Sequence, residues 1–193
     1  PFDTPKPVRL LSRMLQIAGV QEGDIVLDFF SGSATVADAL IRYNANDGIN
    51  RKFILVQLPE QCSAGTEAFD MGLKNICEIG RARIKNVASA IYSSSESKCC
   101  DCGFKVFKLD TSNLLPWNPN ADELEQNLFA AVDNVLEGRT TDDLLYEILL
   151  KCNLPLTLPI ETKLCGSNTI YLVGAGALAI CLDKNIPASI AEE

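Results

Sequence analysis

The stretch Asp28-Phe29-Phe30-Ser31-Gly32-Ser33-Ala34-Thr35 follows directly on Ile25-Val26-Leu27 and leads directly into a helical pattern over 34–43. The apolar triplet is of the kind that forms a buried strand, so the order predicted is strand, tight turn, helix. At the carboxyl end of a parallel strand, small residues let a ligand approach the backbone, and the amides that open the next helix favour an anionic group. Asp28, closing the strand, is placed to accept hydrogen bonds from a cationic or donor-rich part of such a ligand. A single glycine in this position is equally the mark of a plain structural turn. Gly32 belongs to neither GxxxxGK nor GxGxxG, which excludes a P-loop and a dinucleotide fingerprint.

Upstream of this stretch, Leu10, Leu11, Met14, Leu15 and Ala18 recur at helical spacing over 8–18, with Pro7 at a favourable first-turn position. Downstream, 44–50 is a polar loop and 52–58 a second apolar strand. The spacing of Phe69, Leu73, Ile76, Ile79, Ile84 and Val87 predicts one long helix over 66–90. A Ser-rich linker over 93–98 leads to a third strand over 103–109, in which Phe104, Val106, Phe107 and Leu109 are interspersed with lysines. Helices are expected near 122–136 and 141–150. A terminal hairpin joins 170–173 to 177–182 through Gly174-Ala175-Gly176. Short connections between apolar strands point to an α/β fold with a parallel sheet and helices on both faces, followed by a smaller α+β carboxyl-terminal region. The domain boundary falls between 1–110 and 111–193.

Composition narrows the function classes. With 193 residues and 47% hydrophobic content, the chain suffices for one large domain or two small ones. Its apolar runs are far too short to span a bilayer, so a cytoplasmic, soluble protein is expected. The net charge of −8 is opposite to that of a surface neutralising DNA phosphates. There is no histidine, which removes every His-based triad, and Cys99-Cys100-Asp101-Cys102 lacks paired CxxC spacing, so reduced thiols and no metal are the reading.

Thr4-Pro5-Lys6-Pro7 lies about twenty residues before the turn, and Glu60 follows the second strand. The string from Phe2 to Glu60 resembles the motif X, motif I and motif II succession of the beta-class amino-methyltransferases of DNA. The resemblance extends toward the modification subunit of type III restriction systems. Asn46-Asp47-Gly48 with the strand from Arg51 to Leu58 is similar to that family's polar loop and second strand. Gly103 to Leu109, Ser112-Asn113, Trp117 and the run from Asp143 to Lys151 look like its carboxyl-terminal signatures. The resemblance implies a partial Rossmann-like methyltransferase sheet, S-adenosylmethionine as cofactor and N6 of adenine in a short asymmetric DNA site as target. It implies that Thr4 and Lys6 border the methionine end of the cofactor. Asp28, Phe30, Ser31, Gly32 and Ser33 would wrap its amino-acid moiety, and Glu60, or Gln57 in its place, would accept from the ribose. Asp110 would meet the adenine edge.

The chain also departs from that pattern. Ala34 stands where the family usually has Gly, Val36 where it has Thr, Asp38 where it often has His, and Ile49 where it often has Gly. If position 34 needs a positive backbone torsion, its methyl costs on the order of 1 kcal/mol. The family's Pro-Pro-Tyr or Pro-Pro-Phe catalytic string is absent; Pro116-Trp117-Asn118-Pro119 has the composition but not the order. The expectation is therefore a cofactor-binding fragment of a longer enzyme, with no catalytic residue of its own. Its DNA contacts would lie in the missing half, and homodimerisation and a restriction subunit are the expected partnerships. The competing reading is a non-catalytic dimerisation or assembly module built on the tail.

Overall fold

In the computed structural model, residues 5–94, 101–116, 134–188 and 190 are described. The chain divides into two compact units, Pro1–Phe104 and Lys105–Glu193.

The first unit begins with α1 (Val8–Ala18), which stops at Gly19 in the left-handed conformation (φ 66°), the usual way for a helix to close its last carbonyls. Strand β1 (Ile25–Asp28), helix α2 (Thr35–Asp47) and strand β2 (Lys52–Leu55) then form a parallel β-α-β unit in the register Ile25 to Lys52 and Asp28 to Leu55. Leu11 and Leu15 of α1 pack on Ala39 and Leu40 of α2, with Val26 and Phe53 of the sheet beneath them. The other side of α2 (Ala37, Ile41) meets Ile84, Val87 and Ile91 of α4 (Ile76–Ser93), with Cys102, Phe53, Leu55 and Phe104 closing the same core.

All three long helices thus share the sheet face that carries Val26 and Phe53. The opposite face, Ile25, Leu27, Ile54 and Val56, is more than half exposed. This corrects the expectation of helices on both faces: among the described residues, β1 and β2 form a two-stranded sheet with one covered side. The fold is mixed α/β with small sheets.

Three further expectations are corrected. The long helix over 66–90 is split into a short α3 (Glu67–Asp70) and α4, because Gly72 takes φ +80° and Asn75 caps α4 through the Glu78 N–H at 3.0 Å. The third strand over 103–109 is not formed. Phe104 packs into the first unit, whereas Lys105 and Phe107 belong to the second, where Phe107 meets Tyr146 edge-on at 4.9 Å and Lys105 Nζ donates to Leu156 O at 2.9 Å. The helix expected over 122–136 lies mostly outside the described residues. Its end, 134–136, pairs with 113–115 instead: Leu115 N donates to Asn134 O (2.7 Å) and Leu136 N to Asn113 O (2.8 Å).

The second unit holds α5 (Thr141–Lys151), opened by a reciprocal Thr140–Asp143 capping box, and an antiparallel meander of β3 (Ile160–Cys165), β4 (Asn168–Val173) and β5 (Leu178–Cys181). Leu145 and Leu149 pack against Val173 and Ile180. The expected hairpin is therefore two strands of three. Among the described residues no helix is long and apolar enough to cross a membrane.

Candidate functional site

The turn after β1 has the geometry that its small residues permit. Gly32 (φ 53°) and Ala34 (φ 60°) both adopt left-handed backbone, so the chain reverses direction between strand and helix within a few residues. The condition attached to position 34 is met: a non-glycine residue occupies a positive torsion there, and Ala34 is 2% exposed.

Hydrogen bonds fix the turn from several sides. Phe30 N donates to Asp28 Oδ1 (3.2 Å), Ser31 N to Val56 O (3.3 Å) and Ala34 N to Ser31 O (2.8 Å). Gly32 N donates to Gln57 Oε1 (2.8 Å), while Gln57 Nε2 donates to Leu58 O (3.2 Å). Gln57, one of the two residues weighed for the ribose, thus has its amide committed to bracing the turn. On the other side, Arg83 of α4 donates to Ser33 O (2.8 Å) and Ser33 Oγ (3.3 Å), and reaches Asp38 Oδ2 at 3.4 Å. Asp38, 4% exposed, also accepts from Arg42 Nε at 2.6 Å.

Of the residues singled out from the sequence, Asp28, Phe30, Ser31, Gly32 and Ser33 come together in this turn. Among the described residues the second carboxylate oxygen of Asp28 has no hydrogen-bond partner. Phe29 and Phe30 are exposed and tilted against each other, with ring centroids 5.1 Å apart. The opening of α2 is less accessible than expected, since Thr35 is 6% and Ala37 0% exposed. The surface open to a ligand therefore runs over the exposed Phe29 and Phe30, with Asp28, Ser31 and Ser33 half-buried beside them. Glu60 is exposed and held between β2 and α4 by its main chain: its N–H donates to Leu58 O (2.8 Å) and its carbonyl accepts from Ile76 N (3.0 Å). Lys6 is exposed ahead of α1, and Thr4 lies outside the described residues.

Asp110 is in the second unit, where Arg139 binds it at 2.9 Å and holds its carboxyl below the ordinary value. Near the turn, burial pushes the Cys77 thiol up, and its Sγ faces Gln57 O at 3.5 Å, so it acts as a neutral donor. Among the described residues no group of three or more His, Cys, Asp or Glu is placed to hold a metal, and Cys99 and Cys100 lie outside them.

Arg83, Asp38 and Gln57 were not foreseen as supports of the turn. Arg83 reads as part of the wet side of a helix, and nothing in its spacing to Ser33, fifty residues away, shows the contact.

The family described as DNA methylase matches residues 1–68. The Mod subunit of the type III restriction-modification enzyme StyLTI of Salmonella typhimurium is 39% identical over 124 residues, 64% of this chain and 18% of that protein. The EcoPI Mod subunit of Escherichia phage P1 is 36% identical over 105 residues, 54% of this chain and 16% of that protein. The EcoP15I Mod subunit of Escherichia coli is 32% identical over 175 residues, 89% of this chain and 25% of that protein. The chain thus spans a quarter or less of the length of these relatives.

Proposed function

From this kinship with the Mod subunits of type III restriction-modification enzymes, we propose that the chain is the cofactor-binding part of a site-specific DNA adenine-N6 methyltransferase. The observation that carries the reading is the doubly left-handed turn at the carboxyl ends of two parallel strands, edged by two exposed rings and by a carboxylate oxygen that has no partner among the described residues. Such a turn suits a ligand with a donor-rich end and an apolar body. In this reading the paired strands belong to a Rossmann-like methyltransferase sheet whose cofactor half is 1–110.

When bound, S-adenosylmethionine supplies the methyl group for transfer to N6 of adenine. The residues of this chain bind and orient it. Asp28 accepts from the amino group with the oxygen that Phe30 N does not use, and Ser31 and Ser33 offer hydroxyls to the methionine end, which Thr4 and Lys6 border. Gly32 keeps the main chain close, Phe30 covers the apolar body, and Glu60 accepts from the ribose hydroxyls. The 193 residues contain no Pro-Pro-Tyr or Pro-Pro-Phe string, so the task of this chain is holding the donor rather than the base. Contacts with DNA and with a restriction subunit belong to the assembled enzyme, as does pairing of two copies.

The test is isothermal titration of the chain, and of its Ala34→Gly variant, with S-adenosylmethionine and its demethylated product. The reading predicts saturable heat, tighter in the variant. No heat with either protein would remove the claim.

A further inference from the structure

We infer that Arg83 is a positioning residue for the cofactor turn, an inference that rests on the methyltransferase reading above. Its guanidinium grips one residue twice, through Nε to the Ser33 carbonyl (2.8 Å) and Nη2 to the Ser33 hydroxyl oxygen (3.3 Å). The third nitrogen, Nη1, lies 3.4 Å from Asp38 Oδ2. A planar fork suits this task, because three donors in fixed geometry constrain both the main chain and the side chain of their partner.

Four observations give the contact a purpose beyond packing. Ser33 lies between Gly32 and Ala34, both left-handed, and at the non-glycine Ala34 that conformation persists only where the surroundings enforce it. Gln57 holds the Gly32 side of the turn, and among the described residues Arg83 is what holds Ser33. Asp38, buried and also bonded to Arg42 at 2.6 Å, anchors the guanidinium in turn. Finally, Ser33 Oγ accepts from Arg83, so its own proton is directed elsewhere and is free to donate to an acceptor on a ligand. Arg83 thereby sets where the hydroxyl points and which role it plays, without touching the ligand.

The chemical expectation is selectivity for the amino-acid end of the cofactor. The chain is titrated with S-adenosylhomocysteine and, separately, with 5′-methylthioadenosine, which carries the adenosine and sulfur without the amino-acid portion. Arg83→Met is expected to weaken S-adenosylhomocysteine binding by about tenfold, the loss of one charge-assisted grip, and 5′-methylthioadenosine by less than about twofold. Arg83→Lys, which keeps the charge but not the fork, should fall between, and it decides the matter if Arg83→Met does not fold. An equal loss for both ligands makes Arg83 a merely structural residue and overturns the inference, as does unchanged S-adenosylhomocysteine affinity. Absence of binding by the unsubstituted chain overturns the cofactor reading and this inference with it, and is distinguishable because it precedes any substitution.

Discussion

Gly80 of α4 and Ala34 at the head of α2 approach so closely that a methyl group on Gly80 would stand 3.2 Å from the Ala34 Cβ and 3.6 Å from the Gly32 carbonyl oxygen. Alanine ordinarily stabilises a helix interior by roughly 0.5–1 kcal/mol over glycine. At position 80 that gain should vanish, because the atom in the way is held on a braced turn. Gly80→Ala is therefore expected to leave the unfolding midpoint unchanged or lower it, and to recover the gain when combined with Ala34→Gly. A midpoint that rises in both backgrounds shows the contact to be slack.

Gln57 is the acceptor for the N–H of a buried glycine, so removing it has a defined effect. Gln57→Leu leaves Gly32 N unpaired and should destabilise the chain by about 1–3 kcal/mol. Gln57→Glu keeps an acceptor oxygen and should recover most of the loss. Urea unfolding of the two variants decides it, and equal destabilisation by both speaks against the bond.

Arg51, just ahead of β2, ties the loop after α1 to the last turns of α2, which runs to Asp47 and takes up the first half of the polar loop expected over 44–50. It is 6% exposed and donates to Val20 O (2.7 Å), Asn44 Oδ1 (3.3 Å) and both oxygens of Asp47 (3.1 and 2.8 Å), with Tyr43 under its guanidinium at 4.1 Å. The hydrogen bond to Asp47 raises the arginine above its ordinary value and lowers the carboxylate. Replacing Arg51 by Met strands several acceptors and is expected to destabilise by about 2–4 kcal/mol. Arg51→Lys should lose less, since it retains the charge. Calorimetric melting of both separates the two effects.

Acid should weaken the second unit through Glu147. The Ser112 hydroxyl at 2.6 Å, the Asn113 N–H at 2.7 Å and the Lys151 ammonium at 2.9 Å hold its carboxyl down to about 2, against an ordinary 4.5. A folded-state value below the unfolded one means that the stabilisation is complete above about 4.5 and is lost as pH falls through about 2. Thermal midpoints followed from neutral pH to pH 2 should fall over that window, and fall less in Glu147→Gln. Parallel curves for the two proteins would assign the acid sensitivity to other groups.

Much of the first unit is legible in the residues. The stripe of α1 and its glycine stop, the triplet Ile25-Val26-Leu27 and the apolar β2 each carry a local signal that tertiary contacts reinforce. The long helix fails because Gly72 and Asn75 interrupt a hydrophobic period that otherwise runs on, and β3 escapes because Ile160-Glu161-Thr162-Lys163 is too polar to read as a strand until β4 lies beside it. The third strand fails for a different reason: an alternating pattern specifies two faces but not what covers them, and here Phe104 joins the core of the first unit while Phe107, half exposed, only meets the Tyr146 ring in the second. At the turn, the small residues were visible in the sequence, whereas the groups that hold them, Arg83 and Gln57, act across distances in the chain that no spacing rule connects.

The bare side of the β1–β2 sheet has a bearing on how the polypeptide behaves in a tube. Ile25, Leu27, Ile54 and Val56 face water while the chain carries a net charge of −8, so mutual repulsion and greasy attraction oppose each other between molecules. Dissolved ions shorten the reach of the first to about 10 Å at 0.1 M and strengthen rather than weaken the second when sulfate is the anion. Dilute buffer should therefore keep the particles apart and ammonium sulfate should bring them together early, a trend that scattered light will register.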